Sequence, residues 1–163
     1  HSGGVWAVCP VTVDGQALLA STGDDGTVRI WDPATGEQRA GLGGHSGWVW
    51  AVCPVTVDGQ ALLASAGADG TVRIWDPATG EQRAGLGGHT DWVRALCPVT
   101  VDGQALLASA SSDRTVRLWD LATGTCRLVI PVHHEGRALC WLPDSNLLVV
   151  GLSAGLLAIS LTG

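Results

Sequence analysis

The sequence predicts an all-β fold of short antiparallel strands grouped into repeated four-stranded sheets. Three observations carry this expectation. A period of 44 residues runs along the chain, with His1, His45 and His89 in one register and Trp31, Trp75 and Trp119 in another. Each unit breaks into four short runs containing Val, Leu, Ile or Trp, separated by Asp-Gly, Pro or Thr-Gly turn chemistry. No window carries a helical stripe of apolar residues at i, i+3, i+4 longer than two turns.

In the first unit, the strands are expected at VWAVCP (5–10), ALLAS (17–21), TVRIWD (27–32) and EQRAGL (37–42). The intervening VTVDGQ, TGDDG, PATG and GGH read as turns. Residues 45–88 differ from 1–44 at three positions only, Gly4/Trp48, Thr22/Ala66 and Asp24/Ala68, so the same strands are expected there. Residues 89–132 keep 28 of the 44 positions of the second unit. The fourth unit, 133–163, is degenerate. Aligning NLLVVGLSAGLLAISL (146–161) with the earlier units puts Val150 at the Ser21 position, Ala154 at that of Asp25 and Ser160 at that of Trp31.

The segments GGHSGWVWAV and LLASAGADGTVRIWD, and the spacing from GH to WD, recur in register through three units. In these features the chain resembles the WD-repeat β-propeller family. The resemblance suggests kinship with bacterial propellers that have freshly duplicated blades, and by analogy with the sensor part of large signalling ATPases. The resemblance implies one domain over 1–163 with blades at about 1–44, 45–88, 89–132 and 133–163. It also implies a hydrogen-bonded tetrad in each full blade: His1, Ser21, Asp25 and Trp31; His45, Ser65, Asp69 and Trp75; His89, Ser109, Asp113 and Trp119. The chemistry is self-consistent, because a buried indole N–H needs an acceptor and a buried carboxylate needs donors. In the fourth unit the Ser, Asp and Trp are all replaced, as expected where half a network would leave buried polar groups unpaired. His133 is expected to face solvent.

Four blades do not easily close alone, and the family usually closes at about seven or eight. Identical four-bladed chains reach eight as a pair, so a two-fold dimer is expected, blade four of one chain against blade one of the other. Each open end would otherwise expose an apolar sheet face. The last blade is expected to lack its outer strand, because Leu161-Thr162-Gly163 falls where other units begin theirs. That leaves 155–160 as an edge.

Other function classes are disfavoured. The chain has no Lys, which excludes a Schiff base, a P-loop lysine and a Ser–Lys pair. The net charge is −6 and the Arg residues are scattered, so no basic stripe awaits nucleic acid. A start at His1 without any Met reads as a piece of a longer protein, with no secretory apolar region at its head. Residues 145–163 are uncharged, but Gly151, Ser153, Gly155 and Ser160 interrupt a run that would need roughly 20 apolar residues to span a bilayer. A Ser-His-Asp hydrolase is a poor fit to a set that recurs in every full unit and always ends on Trp. Cys9, Cys53, Cys97 and Cys140 share one position of successive first strands, with Cys126 apart, and read as small buried thiols in a reducing, cytoplasmic setting. His133-His134-Glu135, on a strand, would point to opposite faces and not share a metal. The GLGG loops lack a following Lys or helix, and Asp24-Asp25-Gly26 is too short for a calcium loop. No metal, cofactor or catalytic residue is expected.

The differences between units cluster at one end, in the His-bearing loop and the second turn, while VTVDGQ at the other end is constant. A partner-binding face is therefore expected from Trp6, Asp24, Trp48, Trp50, Trp92, Arg94, Ser112 and Arg114. Trp and Arg are the residues enriched at interface hot spots. Packing of some of these Trp between blades is the competing assignment. The expected function is a non-catalytic interaction or scaffold module that associates with itself and with an unknown protein. The alternative is a lectin-like propeller binding small ligands between blades.

Overall fold

The computed structural model describes residues 1–161. Its hairpins are tighter than the sequence suggests. Asp14, Asp58 and Asp102 have φ near 50°, and Gly15, Gly59 and Gly103 follow at 77°, 78° and 76°. Two successive positive-φ residues make a two-residue turn whose twist matches that of the flanking strands. Val-Thr-Val therefore belongs to the first strand, not to a loop as expected.

The first sheet consists of β1 (Val5–Val13), β2 (Gln16–Gly23), β3 (Thr27–Trp31) and β4 (Gln38–Gly43), hydrogen-bonded in that order. The second holds β5 (Val49–Val57), β6 (Gln60–Gly67), β7 (Val72–Trp75) and β8 (Gln82–Leu86). The third holds β9 (Val93–Val101), β10 (Gln104–Ser111), β11 (Thr115–Asp120) and β12 (Thr125–Pro131). The fourth has three strands among the described residues, β13 (Gly136–Leu142), β14 (Leu147–Leu152) and β15 (Leu156–Ser160), with β15 at its edge. Here the Asp-Gly turn gives way to a short 3-10 turn, Pro143–Ser145, the one helical segment among the described residues. The expected lack of an outer strand in this blade turns on Thr162 and Gly163, which lie outside the described residues.

Pairing corrects one alignment. Leu148 faces Ile159 across β14 and β15 as Leu19 faces Trp31 across β2 and β3. Ile159, not Ser160, thus stands in the Trp position. The turn between β14 and β15 is one residue shorter than its counterparts, which shifts everything after it. An apolar side chain there fits the loss of the whole network better than Ser does.

Each sheet packs its front face on the back face of the next. Val11, Leu18, Ala20, Val28, Ile30 and Leu42 of the first sheet meet Val49, Val52, Leu63 and Trp75 of the second. The second sheet repeats this against Val93, Leu107 and Trp119 of the third, and the third against Leu148 and Val150 of the fourth. The strands β1, β5, β9 and β13 touch in succession and line the inside of the arc. Its two ends carry the same surfaces uncovered. Val5 and Val8 are 58% and 63% exposed, against 0% and 9% for their equivalents Val49 and Val52. Leu142 and Leu156 are 42% and 79% exposed, whereas Val11 and Val28 in the equivalent positions are 4% and 0%.

Candidate functional site

The repeated polar residues form a buried chain in each of the three full blades. Trp31, Trp75 and Trp119 donate Nε1–H to Ser21, Ser65 and Ser109 at 2.7, 2.7 and 2.8 Å. Each Ser Oγ lies 2.8, 2.8 or 2.7 Å from Nε2 of His1, His45 or His89. The opposite ring nitrogen, Nδ1, reaches Asp25, Asp69 or Asp113 at 2.9, 2.9 and 2.8 Å. Since the Ser oxygen already accepts from Trp, its proton goes to Nε2 and the neutral ring donates from Nδ1 to the carboxylate. Ser65 and Ser109 are fully buried, which closes them to any acyl substrate. A fifth member escaped the sequence reading. Thr27, Thr71 and Thr115 donate their hydroxyls to the same Asp residues at 2.7, 2.8 and 2.7 Å. The signal was present as a Thr two residues after each Asp.

Burial drives the pKa of His45 and of His89 down, and the neighbouring Asp only partly offsets it. For Asp69 and Asp113 burial pushes the other way, but hydrogen bonds headed by Thr71 and Thr115 win and hold both carboxyls below their usual range. Both kinds of group destabilise the fold on acidification. A His depressed below its ordinary 6.5 lets the unfolded chain bind its proton first as pH drops through that value. A depressed Asp adds a second loss below its ordinary 3.8. The thermal midpoint should therefore fall from pH 7 to pH 5 and again below pH 4, as measured by circular dichroism. A midpoint constant or rising over the first interval would contradict the neutral-His assignment.

The face expected to bind a partner is built by β-bulges. In the first sheet Val5 pairs with Gly23 and Ala7 with Thr22, leaving Trp6 as the extra residue. The same irregularity singles out Trp50, Arg94 and Arg137. A bulge frees its residue from the ladder and re-aims its side chain. All four aim into one hollow of about 350 Å³, completed by Trp48 and Trp92. Trp6 stacks with Trp48 at 6.5 Å between ring centroids, and Trp50 meets Trp92 edge-on at 4.9 Å. The Arg94 guanidinium lies 4.3 Å over Trp50 and 4.9 Å from Trp92, held by its Nε–H to Ser112 Oγ at 2.9 Å. Asp24 anchors the other end, accepting Trp6 Nε1–H at 2.6 Å and Gly4 N–H at 2.8 Å.

The structure thus brings together Trp6, Trp48, Trp50, Trp92 and Arg94, with Asp24 and Ser112 bracing them. Arg114 does not join. It is exposed in the second turn of its blade at φ 63°, where the other blades have Gly, and it does not line the hollow. Arg137 was missed, because the fourth unit runs one residue out of the 44-residue register and hides its equivalence to Arg94. Nor is every varying position on the face. Thr22 and Ala66 are fully buried in β2 and β6, and the Thr22 hydroxyl has no hydrogen-bond partner among the described residues.

The other end of the first two blades is polar and alike in both. Asp32 and Asp76 are buried and accept from Arg39 at 2.6 Å and Arg83 at 2.5 Å, with Gln16 and Gln60 each at 3.1 Å. The Arg hydrogen bonds hold both carboxyls below their usual range. Beside these groups lie two equivalent hollows between blades. One is lined by Asp14, Gln16, Arg39 and Ala78, the other by Asp58, Gln60, Arg83 and Ala122.

All five cysteines are free thiols. Burial raises Cys9 to about 11 and pushes up Cys53 and Cys97 as well. Cys140, on the uncovered face of the fourth sheet, is exposed and not buried as expected. His133 is exposed, while the preceding Val132 joins the core. Among the described residues no group of three or more His, Cys, Asp or Glu side chains is placed to hold a metal ion. No helix among them is long and apolar enough to cross a membrane.

Comparison with known proteins agrees with this architecture. The family model described as WD domain, G-beta repeat matches residues 1–32, 36–76 and 80–120. A solved structure, the crystal structure of the WD40 beta propeller domain of Doa1, superposes with a TM-score of 0.81 at 22% identity. The alignment covers 97% of this chain and 51% of that one, so the chain spans about half the length of that propeller. At this identity the likeness is one of fold. No curated protein matches the chain.

Proposed function

The chain belongs to the WD-repeat family, and from that membership we propose that it is a non-catalytic interaction scaffold whose protein partner docks on the tryptophan-lined hollow. The supporting observation is that four consecutive sheets each direct their bulge residue, Trp6, Trp50, Arg94 and Arg137, into one open site. Exposed tryptophans beside Arg form the composition of binding hot spots. Peptides selected on the wild-type chain from a random display library should bind the Trp50→Ala/Arg94→Ala double variant at least about tenfold more weakly by calorimetry. Unchanged affinities would remove this face as the site.

A second copy of the chain is the other partner. The uncovered Val5 and Val8 surface matches the one that each sheet already accepts from its neighbour, and Leu142 and Leu156 supply its complement. Blade four of one copy on blade one of the other, twice, gives an eight-bladed two-fold ring. Near-identical first and second units support an origin by recent duplication, and the place of this scaffold as the sensor part of a larger signalling protein rests on the resemblance to amplified propellers alone. The free thiols support a reducing compartment, the cytoplasm.

A lectin-like reading is favoured by one observation, the pair of equivalent polar hollows between blades. It requires two sites of equal affinity for one small ligand. Calorimetry with a sugar panel that finds no such ligand removes it.

A further inference from the structure

We propose that the tryptophan-lined hollow recognises the free C-terminus of an apolar peptide, its carboxylate on Arg94 and Arg137 and its last side chains over Trp50 and Trp48. The inference rests on the partner-face assignment above and names the ligand's chemistry.

The first argument is charge placement. Arg94 spends only Nε on Ser112, and its two terminal nitrogens make no hydrogen bond among the described residues. Arg137 has one long contact, 3.4 Å to half-buried Glu135. Two forked donors with spare capacity beside an apolar wall fit a carboxylate, which guanidinium binds in a bidentate manner. At the opposite end the Asp24 carboxylate already accepts from Trp6 and Gly4. The site is therefore polar in one sense, positive toward the third and fourth blades, and a chain lying across it has a preferred direction.

The second argument is shape. A small molecule is usually bound in an enclosed pocket that buries most of its surface. Here Trp6, Trp48 and Trp92 remain 54%, 47% and 42% exposed, so the hollow is an open trough across several blades. It is suited to a segment with apolar side chains, not to a compact ligand. A cationic ligand would meet Arg94 already seated on Trp50 and Trp92. A long polyanion would meet a chain of net charge −6. A single carboxylate ending an apolar segment satisfies all of these conditions.

The probe is a fluorescein-labelled hexapeptide, Ser-Gly-Ser-Gly-Leu-Phe, prepared as the free acid and as the C-terminal amide, titrated against the full chain by anisotropy at low salt. The acid should bind at least about tenfold tighter than the amide, the size expected for charge-assisted hydrogen bonds. Arg94→Gln with Arg137→Gln should remove that difference and leave amide binding in place, while Trp50→Ala should weaken both forms. Far-UV circular dichroism confirms that each variant is folded, and Arg137→Gln alone, at an exposed position, should remove part of the acid preference. Equal binding of acid and amide, or an acid preference that survives the double Arg variant, overturns the carboxylate inference and leaves the partner face standing. Binding of neither form, or binding indifferent to Trp50→Ala, overturns the inference and the face together.

Discussion

Trp75→Ala should lower the free energy of unfolding by about 3–5 kcal/mol, the usual cost of truncating a large buried aromatic residue. Trp75 is fully enclosed between the first and second sheets, and its Nε1–H is the donor that Ser65 Oγ accepts. Removing it opens a cavity and also leaves Ser65, His45 and Asp69 as an incomplete buried network. A loss of this size is a large part of the roughly 5–15 kcal/mol that stabilises a typical domain. Urea denaturation followed by circular dichroism gives the number, and a change below about 1 kcal/mol would show that the network and its packing are dispensable. The equivalent Trp31→Ala is a built-in comparison, because Trp31 has a sheet on one side only. If a second copy covers Trp31, its cost should rise with protein concentration.

Val8→Asp should convert the proposed two-copy particle into single chains of 16.7 kDa, read by sedimentation equilibrium. Val8 is exposed in one chain, so the substitution spares folding, yet at the equivalent contact inside the chain Val52 is buried against the first sheet. A carboxylate placed in such an apolar contact is strongly unfavourable. Leu156→Asp, at the other end of the arc, should act alike. Mixed together, the two variants should recover a pair through the one end-to-end contact that neither substitution touches. A wild-type chain that stays single at high concentration, or Val8→Asp particles still of double mass, would refute ring closure by a second copy.

Much of this architecture was legible in the sequence because the signals were local and repeated. Asp-Gly pairs marked the hairpins, and the His, Ser, Asp and Trp registers marked a network that the structure closes at hydrogen-bond distances. What escaped depends on pairing between strands. The bulges that expose Trp6, Trp50, Arg94 and Arg137 arise from a mismatch of register across two strands, which periodicity along one strand does not reveal. Arg137 was invisible because the fourth unit is out of step with the 44-residue period, and Ser160 was misplaced because one turn there is a residue shorter. Thr22 looked like a surface variable, but burial is decided by the neighbouring sheet, not by a residue's nearness to a turn.

The bulges have an evolutionary corollary. A residue that the backbone ladder skips can be exchanged with little effect on the scaffold around it, and four such positions converge on a single trough. Trp, Trp, Arg and Arg there are the letters of a short word spelled one blade at a time. Duplicating a blade copies the whole frame and one letter with it, so under the docking role proposed above such chains can change what they bind without having to rediscover how to fold.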